Sequence, residues 1–310
     1  MILPNRGSLK SFNFYLVENH QNLTLIDAGI NHDACWDLLL QTLKTHNFSL
    51  GDISQIILTH SHEDHIGLIQ RILDVHTVPI FAHKDAVYRL QREEEFFQKR
   101  IEFYSQLYDE MGCGAVGKRR VEETRKLGEA KKNEKIVGEI RTLGEDDYIL
   151  GMRVIETPGH SPDHIVLLDE DRKVLFGGDH LIGHISSNAL VEPDRDGNRR
   201  KTLIEYHSSL KKCLNYDFNK VYTGHGRTIH HPYELINSRL EGMDEKAEKI
   251  VSIIRSGVAT ASEIAQTFYR DKYEAEFSLV MSEIIGYLDY IEEKQLIYKT
   301  KKTGIWHYEV

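Results

Sequence analysis

The chain has 310 residues, 40% of them hydrophobic and 28% charged, with a formal net charge of −9. That size and balance suit a globular protein with a sizeable core, in one large domain or one and a fraction. No apolar run is long enough to cross a bilayer, and Cys35, Cys113 and Cys213 are too scattered, and odd in number, to make a disulfide frame. The negative balance opposes generic nucleic-acid binding, whose affinity comes largely from neutralised phosphates.

Residues 10–30 predict two strands: Phe12, Phe14 and Leu16 alternate, Asn19-His20-Gln21-Asn22 supplies a polar turn, and Leu23, Leu25 and Ile26 resume. Trp36, Leu39, Leu40 and Leu43 share one face of a helix over 33–46. Ile56-Ile57-Leu58 reads as a buried strand, His65 to His76 as a helix, and Val78 to His83 as another strand. Residues 84–145 break the pattern. They are charge-rich, with Phe96, Phe97, Ile101, Tyr104, Leu107, Tyr108 and Met111 near helical spacing, and read as an inserted helical cap. Within it, residues 118–141 carry nine Lys/Arg against five Asp/Glu, including Lys118, Arg119 and Arg120. Strands return over 148–180, with a hairpin around Asp169-Glu170-Asp171-Arg172, and 199–213 reads as a helix. Strands, helix and strands then occur twice over, which suits two sheets packed face to face with helices outside. After Gly242 the character changes: helices are expected over 244–256, 262–269 and 277–293, then a hairpin from Leu296 to Tyr308. The expected domains are 1–242 and 243–310.

The chemistry sits at the ends of the strands. Thr59-His60-Ser61-His62-Glu63-Asp64-His65 follows the first buried strand, Thr157-Pro158-Gly159-His160-Ser161 another, Gly177-Gly178-Asp179 a third and Gly224-His225-Gly226 a fourth. Each candidate lies next to Gly or Pro, where a strand stops and a tight turn can aim a side chain. Imidazole and carboxylate are the ligands that zinc and other borderline metals take. Converging turns would collect His60, His62, Asp64, His65, His160, Asp179 and His225, seven donors and too many for one tetrahedral ion. Two ions, about 3.5–4 Å apart in two-metal hydrolases, use them all if one carboxylate bridges.

The order His-x-His-x-Asp-His, Gly-His, Gly-Asp and Gly-His-Gly, over roughly residues 10–230, resembles the metallo-β-lactamase-fold superfamily of binuclear hydrolases. The resemblance implies an α/β, four-layer αββα sandwich. It implies His60, His62 and His160 on one metal, Asp64, His65 and His225 on the second, and Asp179 bridging. Asp27, in Leu25-Ile26-Asp27-Ala28-Gly29, matches the superfamily's early strand-end Asp and is expected to orient a ligand by a hydrogen bond. The metals implied are zinc, with iron or manganese as alternatives. Antibiotic-degrading members often carry Cys where this chain has Asp179, and usually a secretion signal, which the opening Met1 to Gly7 lacks. The expected location is therefore the cytoplasm, and β-lactams are not the expected substrate. Superfamily lactonases place a Tyr soon after the bridging Asp, where this chain has His180, Leu181 and Ile182. The C-terminal region resembles the short winged-helix tail of one hydrolase subfamily, whose members include ribonucleases and ester or thioester hydrolases.

Two divalent ions sharing a water lower its pKa to about 7 and so provide a bridging hydroxide as nucleophile, with Asp64 and Asp179 holding the pair. Carbonyl and phosphodiester substrates share that mechanism. An ester or thioester with an anionic portion, as in glyoxalase II-like hydrolases, ranks first. RNA cleavage ranks second, and a mononuclear iron oxygenase on the same scaffold third. The substrate is expected to be a small molecule, met by Tyr104, His184, Lys118, Arg119 and Arg120; His184, Asp163 and Tyr104 are candidates to protonate the leaving group. Residues 243–310 hold nine Lys/Arg and twelve Asp/Glu, so DNA binding by the tail is not expected. Packing, or contact within a homo-oligomer, is its expected role.

Overall fold

The computed structural model describes residues 1–19 and 22–310; part of the turn expected at Asn19 to Asn22, namely His20 and Gln21, lies outside the described residues. The chain divides into two compact units, Met1–Gln91 with Lys135–Ser187 and Ser209–Ile236, and Arg92–Glu134 with Asn188–Ser208 and Asn237–Val310.

In the first unit β1 (Ile2–Pro4) pairs antiparallel with β2 (Ser11–Asn13). One five-stranded sheet follows the order β3 (Tyr15–Asn19), β4 (Asn22–Ile26), β5 (Ile53–Ile57), β6 (Ile80–His83) and β7 (Ile140–Leu143). The other holds β8 (Tyr148–Ile149), β9 (Met152–Glu156), β10 (Ile165–Asp169), β11 (Val174–Gly178) and β12 (Lys220–Thr223), again side by side in chain order. The alternation of side chains sorts each strand between two cores. Ile26, Ile57, Val154, Ile165, Leu167 and Phe176 form one cluster drawn from both sheets. Leu23, Leu25, Ile56 and Ile80 turn the other way, towards Leu39 and Leu43 of α1 (Asp33–Thr45).

One parity looks wrong, because Ile53 and Ile56 share a core at an odd spacing. A register shift explains it: Leu23 pairs with Ile53 but Thr24 with Gln55, so Ser54 is an extra residue that resets the alternation.

The helix expected from His65 to His76 is instead two short ones, α2 (Glu63–Ile66) and α3 (Ile69–Leu73). The backbone between them bonds outward. His65 carbonyl accepts from Ala28 N–H (2.6 Å), Gly67 N–H donates to Gly29 carbonyl (2.8 Å) and Leu68 N–H to Ala28 carbonyl (3.1 Å). A Cβ on Gly67 would lie 2.1 Å from the Asn31 nitrogen, so only glycine admits this approach. α4 (Val87–Leu90) completes the segment.

The second unit carries the helical insertion as α5 (Glu94–Glu110) and α6 (Gly114–Lys131). Its expected span, 84–145, also contains β7, which pairs parallel with β6 in the first unit's sheet, so residues 140–143 are strand and not helix. Charged Arg141 and Glu139 hide that strand in the sequence. α7 (Thr202–Cys213) and α8 (Pro232–Arg255) each run from one unit into the other. The helix expected from residue 244 thus begins twelve residues earlier, with Pro232 at its first position, where the missing N–H costs nothing. α9 (Ala261–Tyr269), capped by Thr260 and Glu263, α10 (Lys272–Ala275) and α11 (Phe277–Glu293) follow, then the hairpin of β13 (Tyr298–Lys302) and β14 (Ile305–Glu309). α11 is the unit's core helix, with Val280, Met281, Ile284, Ile285, Leu288 and Ile291 all buried. No described helix is long and apolar enough to cross a membrane.

Candidate metal centre

Strand ends of both sheets deliver the expected residues to one place. His60 and His62 follow β5, His160 follows β9, Asp179 follows β11 and His225 follows β12. His60 Nε2 and His160 Nε2 each lie 3.0 Å from His62 Nδ1. Asp179 Oδ1 is 3.3 Å from His65 Nε2, and Asp179 Oδ2 is 3.0 Å from His225 Nε2 and 3.5 Å from His160 Nε2. Asp64 Oδ2 is 3.4 Å from His225 Nε2. Three overlapping groups result, each with its donor atoms within 4.8 Å of one another: His60, His62 and His160; His60, His65 and Asp179; Asp64, His65 and His225.

The groups behind these donors decide which nitrogen faces inward. Asp27, in a left-handed turn (φ 56°), accepts from the Thr59 N–H (2.8 Å) and hydroxyl (2.9 Å) and sits 2.8 Å from His65 Nδ1. The Ser11 carbonyl accepts from His225 Nδ1 at 2.7 Å. Both rings therefore turn Nε2 to the cluster. His65 Nε2, His225 Nε2 and Asp179 Oδ1 are buried and without a hydrogen-bond partner. Buried polar atoms are rarely left so. Three such atoms converging on one another fit a cation, and the donor set of imidazoles and carboxylates is the one borderline divalent metals take.

Charge follows from the same packing. Burial lowers the His60 imidazole well below its usual range, and the neighbouring His65 and His62 push the same way. Burial also opposes charge on His65 and His225. The carboxylates of Asp179 and Asp27 more than offset it at His65, which is held well above its usual range, and Asp179 and Asp64 raise His225 to about 9. Burial would raise Asp179 and Asp64, but the facing imidazoles hold Asp179 far below the carboxylate range and Asp64 at about 2. The centre is thus a set of anionic oxygens facing two imidazoles, His65 and His225, that a metal ion would have to deprotonate.

Three supporting residues carry weak signals in the sequence. His164, fully buried, accepts from Asp179 N–H through Nε2 (3.1 Å), and its Nδ1 meets the Thr157 hydroxyl (2.8 Å). Its only mark is a spacing of four from His160. Asp163 has no exposed surface; it accepts from Ser61 N–H (2.7 Å) and from the Ser161 hydroxyl, tying the His60–His62 turn to the His160 turn. An interior carboxylate so engaged holds loops together and is not placed as a free acid. Gly224 is required by contact: a Cβ there would lie 2.2 Å from Asp179 Oδ1.

The remaining candidates are not among these donors. His184, half-buried in the first unit, has Nε2 2.9 Å from the Ser8 carbonyl. Tyr104 belongs to the second unit, where its hydroxyl donates to the Val191 carbonyl (3.2 Å) and its ring stacks on Tyr108. Arg119 pairs with Glu274 (3.2 Å), Arg120 donates to the Ser278 hydroxyl (2.6 Å) and pairs with Glu123 (3.3 Å), and Lys118 is exposed. All three cysteines are buried free thiols.

A sequence model of the metallo-β-lactamase superfamily matches residues 11–225, from the strand before the first turn to His225 itself. The chain belongs to the metallo-β-lactamase superfamily. Its relatives in the superfamily include the probable metallo-hydrolase YqjP of Bacillus subtilis, 31% identical over 284 residues, 91% of this chain and 88% of that one. An atrochrysone carboxyl ACP thioesterase of Aspergillus fumigatus is 21% identical over 279 residues, 86% of this chain and 70% of that one. A metallo-β-lactamase family protein of Thermus thermophilus shares the fold over 99% of this chain and 96% of its own, with a TM-score of 0.80 and 22% identity. The metallo-β-lactamase fold is thus established, and the superfamily is one of metal-binding hydrolases.

Proposed function

We propose that this chain is a hydrolase holding two divalent metal ions, and that its substrates are small carboxylic esters or thioesters with an anionic portion. His60, His62 and His160 would hold one ion, Asp64, His65 and His225 the other, and Asp179 would reach both. The observation that carries the reading is that His65 Nε2, His225 Nε2 and Asp179 Oδ1 are buried without a hydrogen-bond partner inside one cluster of metal-capable donors. Zinc suits the imidazole-rich set, and iron or manganese accept the same donors. Bound divalent metal would supply Lewis acidity and a water acidified to a pKa of about 7. The protein's part is to keep the imidazoles oriented through Asp27, Thr59 and the Ser11 carbonyl, and to hold Asp179 through its N–H bond to His164. The ester or thioester preference draws on a relative named as a thioesterase. It also draws on the net charge of −9, which works against a polyanionic RNA substrate.

The test begins with elemental analysis of the purified chain, which should give close to two metal ions per molecule. A panel of acyl thioesters and esters is then assayed beside a labelled single-stranded RNA, with chelator-stripped protein as control. Metal-dependent thioester or ester hydrolysis is the expected result. Absence of stoichiometric metal, or metal-dependent RNA cleavage with inert thioesters and esters, would overturn the reading.

A further inference from the structure

Three segments of the first unit meet around His225. The Ser11 carbonyl accepts from His225 Nδ1 (2.7 Å) and the Ser11 hydroxyl from Gly226 N–H (2.9 Å). The Asn13 amide donates to the carbonyls of Thr223 and Gly226, each at 2.9 Å. His184 Nε2 lies 2.9 Å from the Ser8 carbonyl, and its ring passes so close to Gly226 that a Cβ there would be 2.6 Å from Nδ1. The loop before β2 is closed on itself, Asn5 N–H donating to the Lys10 carbonyl (2.7 Å) and Lys10 N–H to the Gly7 carbonyl (3.1 Å). Segments drawn from residues 1–13, 180–187 and 224–231 therefore meet beside His225.

Their charge is unlike that of the rest of the molecule. None of the three stretches contains an Asp or Glu, in a chain that has 48. They contain Arg6, Lys10 and Arg227, all exposed, and none of these is in an ion pair among the described residues. Elsewhere basic side chains are mostly matched, as Arg119 is with Glu274, Lys299 with Glu292 and Lys301 with Glu110. Lys10 immediately precedes Ser11, and Arg227 lies two residues beyond His225, so both cations branch from backbone next to the bond that seats a centre imidazole.

We propose that Arg6, Lys10 and Arg227 form an anion-binding rim that takes a phosphate or carboxylate carried by the substrate. The rim deepens the hydrolase reading above and rests on it for the identity of the ligand as substrate. In a molecule of net charge −9, an anion is repelled by most of the surface. A patch of unmatched cations sets where it can approach. Guanidinium groups add planar, two-pronged donors that match phosphate and carboxylate oxygens. The Lys118 to Arg120 patch is less suited to the task, since Arg119 and Arg120 already have partners.

The experiment compares the metal-loaded full chain with R6Q/K10Q/R227Q on three thioesters of one acyl group. Their carriers are coenzyme A, which bears phosphates, glutathione, which bears carboxylates, and N-acetylcysteamine, which is neutral and serves as the internal reference for folding. In the variant, the ratio of kcat/KM for an anionic carrier to that for the neutral one should fall about tenfold, through KM, and the wild-type ratio should shrink as salt rises. A fall for coenzyme A alone assigns phosphate, for glutathione alone carboxylate, and for both either anion. Ratios unchanged within about twofold for both carriers would overturn the rim. If no thioester is cleaved by either protein, the substrate reading fails and the rim is judged by binding alone. Desulfo-coenzyme A and S-methylglutathione are then titrated calorimetrically. A Kd raised at least about fivefold in the variant supports the rim, and equal Kd values or no binding of either probe refute it.

Discussion

At the scale of single residues, the centre is governed by what stands behind each donor. His65 is backed by Asp27 and His225 by the Ser11 carbonyl. The metal-free rings nevertheless hold protons, His225 up to about 9 and His65 well above its usual range. A metal can bind Nε2 only after displacing them, so affinity should rise with pH up to about 9 and loading at pH 7 should release about two protons. Zinc titrations in buffers of different ionisation enthalpy would measure that release; a value near zero would contradict it. Asp163 makes a second case. With its clasp between Ser61 and Ser161 removed, the His60, His62 and His160 turns lose their common anchor. Asp163→Ala should weaken metal binding about 10–100-fold, Asp163→Asn less. Competition with a chromophoric chelator reads both steps, and wild-type affinity in Asp163→Ala would refute the clasp. The seven candidate ligands that the structure brings together could be picked out in the sequence, because each stands in a short motif at a strand end. His164 and the clasp role of Asp163 were not, because their work is a contact with residues 15 and 102 positions away.

Among elements, the strands and α1 follow local pattern, and the exceptions are places where the backbone bonds to something distant. Gly67 is the sharpest. The apolar spacing of residues 65–76 is helical, yet Ala28 and Gly29 take the backbone groups that a continuous helix would use. Replacing Gly67 by Ala should cost more than about 3 kcal/mol of stability, because a Cβ would meet Asn31 backbone and not a movable side chain. Urea unfolding measures it, and a loss below about 1 kcal/mol would show that the loop at residues 30–31 yields. Gly224→Ala should behave differently: its Cβ would meet the Asp179 carboxylate and His65 ring, so metal content should fall while the sheets persist. Full metal occupancy in a folded Gly224→Ala would exclude that account.

For the whole molecule, the second unit adds a part-buried ion pair. Arg199 grips Asp289 through two bonds of 2.6 Å, and the carboxylate is 3% exposed in mid-α11. Arg199→Met should cost roughly 3 kcal/mol by leaving that carboxylate unmatched, whereas R199M/D289L should recover much of the loss. Denaturant midpoints of the two variants would tell, and equal midpoints would refute it. Both units are assembled from separate stretches of chain, so local pattern does not mark their bounds. Residues 140–143 look like more of a charged insertion until β6 pairs with them, and nothing near Gly242 announces that α8 has been running since Pro232. By itself the sequence determined the superfamily, the sandwich and the seven metal-ligand candidates, because ligand chemistry and strand alternation are written within a few residues. Only the tertiary structure decided which imidazole nitrogens face the cluster, which carboxylates merely hold loops and which cations remain unmatched. Those depend on partners far away in the chain, and burial and electrostatics act through space.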